Sequence, residues 1–123
     1  MSKSGLWLSS MGVSLTSKTT PESLVFGTGE TVKSFTVTGN YKATRIILVM
    51  PTFSGAVVTG VLSIENSDGV EIYASSAASE TNTHVYSPDP GVPLVGVNTF
   101  KLTLSTDPLS SGTPTVSLYL EEG

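Results

Sequence analysis

Cysteine is absent from the 123 residues of this chain. That absence excludes a disulfide framework, a thiolate zinc or iron–sulfur site and a cysteine nucleophile. Charge is also scarce: Asp, Glu, Lys and Arg make up 13% of the residues and the net charge of −4 is spread without runs. The six basic residues are Lys3, Lys18, Lys33, Lys42, Arg45 and Lys101. Only Lys42 and Arg45 are close in sequence, and regular strand spacing assigns them to opposite faces, which argues against a phosphate-neutralising surface and a direct nucleic-acid partner. The longest uninterrupted apolar run, 46–50, is far short of the roughly 20 residues that span a bilayer, so no membrane span is expected.

What the chain has is alternation. Across 30–123, short runs of Val, Ile, Leu and Phe interleave with Ser and Thr at period two, the pattern of half-buried β-strands. Val32–Thr38 places Phe35 and Val37 on one face and Thr36 and Thr38 on the other, before Gly39-Asn40 turns the chain. The strand read over 45–50, continuously apolar from Ile46, is predicted to be buried on both faces or central in a sheet, stopped by Pro51. In 57–65, Val58, Leu62 and Ile64 share a face and Gly60 marks a bulge or a close backbone approach. Asn66-Ser67-Asp68-Gly69 then predicts a hairpin into 70–74, with Val70, Ile72 and Ala74 inward and Glu71 and Tyr73 outward.

The stretch 75–82 is small, polar and aperiodic and reads as a loop, whereas 83–87 reads as a short strand carrying Val85. Pro88, Pro90 and Pro93 fix a rigid turn. The end of the chain reads as a closing hairpin, with Phe100, Leu102 and Leu104 inward and returning Val116, Leu118 and Leu120 inward, while Tyr119 points out. About seven strands at such spacings define an all-β fold, a single antiparallel β-sandwich or jelly-roll-like barrel.

Residues 1–21 differ from the 22–123 sandwich domain. They are rich in Ser, Thr and Gly with scattered Leu6, Trp7, Leu8, Met11, Val13 and Leu15, and read as an extended N-terminal arm or a first edge strand. Serines interrupt the apolar residues, so the segment lacks the compact apolar stretch of an export signal. Trp7, the chain's one tryptophan, has little core around it, so Leu6-Trp7-Leu8 is expected to dock on a neighbour. Thr20-Pro21-Glu22-Ser23 has the form of a helix start, cut to one turn at most by Phe26-Gly27-Thr28-Gly29.

Sites for chemistry are few. The oxygens of Glu65, Asn66, Asp68 and Glu71 resemble part of a calcium loop, but turn formation explains each residue. His84 is the single histidine, with Asp89 or Glu80 as an acid for a serine relay, yet no Gly-x-Ser-x-Gly elbow presents a nucleophile. Gly27-Thr28-Gly29 precedes a strand and lacks a phosphate-loop lysine. No catalytic residue, cofactor or metal is therefore assigned, and the chain is read as a non-enzyme. Tyr73 and Tyr119, at outward strand positions, are candidate interface residues, with sugar stacking as the competing use.

Strands faced with hydroxyls in place of charge suit a surface that is covered, since interface cores are depleted in Lys, Glu and Asp. The Ser/Thr/Gly/Val-rich strands, missing cysteine, Met1-Ser2-Lys3 start, apolar arm and closing strands resemble the small virion proteins of tailed bacteriophages, capsid decoration or cement proteins first and small tail or head-completion proteins next. That resemblance implies a structural protein made in the host cytoplasm and located in the virion. It implies self-association, often as a trimer, and contact with a major capsid protein or another virion protein. A carbohydrate- or receptor-binding sandwich is the alternative.

Overall fold

The computed structural model describes residues 16–53, 58–109 and 111–122. The expected interface residues Leu6, Trp7, Leu8 and Met11, and the edge-strand candidates Val13 and Leu15, lie outside them. The described strands are β1 (Thr16–Lys18), β2 (Glu22–Ser23), β3 (Val32–Thr38), β4 (Tyr41–Met50), β5 (Thr59–Glu65), β6 (Glu71–Ala74), β7 (Ala78–Ser79), β8 (Asn82–Tyr86), β9 (Val92–Leu94), β10 (Val97–Leu104) and β11 (Thr115–Glu122).

They form two antiparallel sheets. In the first, β11 and β4 are central, flanked by β1 and β2 along β11 and by β8 and β9 along β4. The second runs β3-β10-β5-β6, with β7 also on β5. Reading β1/β2, β6/β7 and β8/β9 as one position each, the orders are β1/β2-β11-β4-β8/β9 and β3-β10-β5-β6/β7. Every connection but that from β5 to β6 and the links within the paired positions crosses between sheets, the order of a jelly-roll sandwich. The expected β-sandwich is thus observed, open along its sides and not closed into a barrel.

Hydrophobic burial explains the stacking. Phe26, Ile46, Leu48, Leu62, Ile64, Leu94, Phe100, Leu102 and Val116 are fully buried between the sheets. Each contributes about 1.5–3 kcal/mol of transfer free energy. Phe35 stacks on its cross-strand partner Phe100 with ring centroids 5.1 Å apart. Gly60 is the predicted close approach: a Cβ there would lie 2.9 Å from Leu102 Cδ1.

Several expectations are corrected. Thr20-Pro21-Glu22-Ser23 starts no helix; Glu22–Ser23 is a strand on β11, and Leu24 N–H continues the edge by donating to Pro114 O at 2.9 Å. The predicted loop at 75–82 contains β7, held because Ala78 is apolar enough to be buried against Gly60. The proline-rich turn gives way at Val92 to the edge strand β9, whose Pro93 is tolerated because an edge position needs no donor there.

β4 is central, as predicted, but only its inner side is sealed: Leu48 is fully buried whereas Val49 is 41% exposed. The closing pair β10 and β11 keeps the predicted inward residues but is no hairpin. β10 pairs with β3 and β5, β11 with β4, β1 and β2, and the link between them arches from sheet to sheet. A hairpin and an arch bury the same alternate residues, so the local pattern does not separate them.

The Asn66 turn is as predicted. Gly69 has φ +77°, Asn66 Oδ1 accepts from Asp68 N–H at 2.9 Å and from Val70 N–H at 3.0 Å, and Asn66 N–H donates to Val70 O. Its outgoing strand is out of phase, however. The register shifts between Ile64 and Glu65, so Ile72 is the extra residue and Tyr73 lies opposite buried Ile64. Tyr73 therefore packs half-buried against the core, while Val70 is 56% exposed and Ala74 is exposed.

Candidate interface on the first sheet

A second register shift shapes the first sheet. Between Tyr119 and Leu120 on β11, the partners step from Arg45 to Ala43, leaving Thr44 as the extra residue, with Thr44 Oγ1 donating to Tyr119 O at 3.3 Å. A bulge adds one residue to one strand and so resets which side each following side chain takes. Ala43 and Ile46 both point into the core, and Lys42 and Arg45 both end on the outer face. The expectation that they occupy opposite faces is overturned by that one inserted residue.

Register then gives the outer face as rows. Val85, Ile47 and Ser117 form one; Thr83, Val49 and Thr115 form the next. Val85 is 56% exposed, Ile47 is half-buried, and Ser117 is buried at the centre of the sheet. No charged side chain interrupts these two rows. Further along, Arg45, Tyr119 and Lys18 make a third row, and Lys42 lies between Pro93 and Glu121. Arg45 Cζ sits 5.2 Å from the centroid of the Tyr119 ring, a cation–π contact, so Tyr119 is outward as predicted but one ring face is already occupied. The stem of Lys42 runs over Gly91, where a Cβ would be 2.5 Å from Lys42 Cγ, so glycine is what lets that side chain lie flat.

The outer face of the second sheet has one uncharged row and then two that carry charge. Val32, Thr103 and Val61 form a row, followed by Ser34, Lys101, Ser63 and Ala74, then Thr36, Thr99, Glu65 and Glu71. Lys101 Nζ lies 3.0 Å from Glu65 Oε2.

Other candidate sites resolve into structure. His84 lies opposite core Leu48, its Nε2 is 2.9 Å from Ser79 O, and its ring stacks near Tyr86. Glu80, one acid considered for a relay, accepts from Val58 N–H at 2.9 Å. Tyr86 donates to Ser76 O at 3.2 Å, and burial followed by proximity to Tyr86 raises the Tyr73 phenol pKa. Tyr73, Tyr86 and His84 thus close the gap between the β6/β7 and β8 edges; the predicted outward position of Tyr73 is corrected to an inward, half-buried one. In the suspected calcium loop, Asn66 Oδ1 serves the turn and Glu65 serves Lys101. Among the described residues no group of three or more His, Cys, Asp or Glu is placed to hold a metal, and no helix is long and apolar enough to cross a membrane.

The face carried by β4, β8 and β11 was not assigned from sequence, although one signal was there. Apolar residues fall at 41 and 43, then at 46, 48 and 50, and that skip of three is the phase slip of the bulge. The run Ile46-Ile47-Leu48-Val49 hides it by being apolar at both parities.

The sequence matches no protein-family model and no curated protein. Solved structures similar to the chain include one of the infectious bursal disease virus Gx strain, with TM-score 0.47 and 7% identity over 89% of this chain and 32% of that one. The VP2 subviral particle of infectious bursal disease virus gives TM-score 0.42 and 8% identity over 89% and 32%. The dimeric latent PorU of Porphyromonas gingivalis gives TM-score 0.41 and 9% identity over 83% and 13%. The chain spans about a third or less of each of these proteins. Likeness at this level carries no argument about function; the sheet orders themselves define the fold.

Proposed function

We propose that this is a non-enzymatic structural protein of a virion, a capsid decoration or cement protein that acts through protein–protein contacts made by the outer face of the first sheet. The observation that carries the reading is that face: Ile47, Val49 and Val85 set among Thr83, Thr115 and Ser117 with no charge between them. Apolar area with hydroxyls is what an interface core uses, because hydroxyls pair across a contact without the cost of burying a charge. The residues before β1, with Leu6, Trp7, Leu8 and Met11, supply a second contact to a neighbouring copy or a major capsid protein. Carbohydrate binding has less support, since Arg45 covers one face of Tyr119 and Tyr73 is packed into the sandwich rim.

The test is purification of the tagged protein from infected cells, with light scattering of the pure protein. Assembled heads are expected to copurify, and tails in their place would favour the tail-protein alternative. Free monomer alone, with hits on a glycan array lost in Tyr119→Ala, would replace this reading. Removing residues 1–15, which spares β1 and its pairing with β11, is expected to weaken particle binding at least about tenfold. Unchanged binding would remove the arm from the account.

A further inference from the structure

Among the described residues, two cations have carboxylate partners: Lys33 Nζ is 2.7 Å from Glu30 Oε2, and Lys101 Nζ is 3.0 Å from Glu65 Oε2. The other three, Lys18, Lys42 and Arg45, have none within ion-pair distance, and register places all three on the outer face of the first sheet around Tyr119. Glu121, opposite Lys42, is the one carboxylate in their rows. In a chain of net charge −4 this is a local positive surface.

Its complement is on the same molecule but on the other sheet. The β5–β6 turn carries exposed Asp68 and Glu71, neither in an ion pair among the described residues. Glu71 stands directly across from Glu65, and Lys101 is committed to Glu65, so the like-charge pair is half compensated. The turn is rigid, because Asn66 Oδ1 holds both the Asp68 and Val70 amides. Val70, 56% exposed, adds an apolar tip between the two acids.

We propose that the Lys18, Lys42, Arg45 and Tyr119 cluster of one copy receives the β5–β6 turn of a second copy, with Asp68 and Glu71 paired to its cations and Val70 resting on Tyr119 and the lysine stems. This deepens the assembly reading above and rests on it. Because the two surfaces belong to different sheets, the contact joins unlike surfaces, the geometry that builds a ring when its rotation closes. Preorganisation of the turn reduces the ordering cost of docking, and charge complementarity sets its register.

The absence of cysteine makes the test direct. Lys42→Cys and Asp68→Cys proteins, each monitored alone and then mixed under mild oxidation, are expected to give a disulfide-linked dimer in the mixture well above either alone. A mixture no different from a Ser34→Cys plus Asp68→Cys control overturns the proposal. Charge reversal reads the same contact without cross-linking. Lys42→Glu with Arg45→Glu, and separately Asp68→Lys with Glu71→Lys, should each raise the concentration for half-association at least about tenfold, and mixing the two variants should restore it. Wild-type association that neither reversal changes overturns this contact while leaving the assembly reading intact. A wild-type protein that stays monomeric and binds no particle overturns both. Should a reversed variant fail to fold, the cysteine pair decides.

Discussion

Asp107 shows how single side chains hold the connections of this charge-poor sandwich. Its Oδ1 accepts the Leu109 and Gly29 amides, each at 2.9 Å, tying the link between β10 and β11 to the loop before β3. Those two donors hold its pKa below the ordinary aspartate value, with the Leu109 bond the larger cause. Glu30 is lowered in the same sense, first by its bond with Lys33 and then by the Gly27 amide. A carboxylate whose folded pKa is depressed contributes stability that is present above its unfolded pKa and is lost as pH falls through the folded value. Acid should therefore loosen this end of the molecule below about pH 4, near the unfolded carboxylate range. Asp107→Asn should flatten the fall in melting temperature between about pH 5 and pH 3 relative to wild type. An identical pH slope in the two proteins would show that Asp107 is not part of the acid response.

At the scale of elements, the two bulges decide what each strand shows to solvent. Thr44 lies outside the regular ladder of β4, so deleting it leaves Ala43 and Ile46 inward and Lys42 and Arg45 outward. Deleting Ile47 instead slips the rest of β4 by one residue and turns Leu48 and Met50 away from the core. Urea melts should find the Thr44 deletion folded and within about 2 kcal/mol of wild type. The Ile47 deletion should be unfolded or more than about 4 kcal/mol weaker. Equal losses would mean that Thr44 is not the inserted residue.

The same elements show what the sequence carried and what it did not. Strands with one strict parity, such as β3, β10 and β11, were legible because their inward residues face a single core. The faces of β4 and β6 were not, since Thr44 and Ile72 enter the count without a partner across the ladder. Partner choice was illegible for β10 and β11 for another reason. Alternation states which side of a strand is buried, not which strand lies beside it, and the eight positions are ordered by packing of the whole core. The candidate face inherits both difficulties, because it needs the β4 bulge and the adjacency of β8, β4 and β11 together.

For the whole molecule, the low charge noted in the sequence acquires a place. The two ion pairs lie on or beside the second sheet, whose outer face mixes Ser and Thr with Val32, Val61 and the charges of Lys101, Glu65 and Glu71, whereas the first sheet divides into an uncharged apolar half and a half with unpaired cations around Tyr119. On the function proposed above, the first sheet is the face that meets protein. Val49 and Val85 sit at the centre of that argument, exposed and removed from the residues that hold the core. The most direct measurement is therefore particle binding, with solution mass by light scattering, for wild type and for a Val49→Glu, Val85→Glu variant whose fold is verified by circular dichroism. The interface account predicts that the folded variant loses assembly and particle binding by at least about a hundredfold, the effect of burying unpaired charge in a contact. A folded variant that assembles and binds as wild type does would show that this face remains in water.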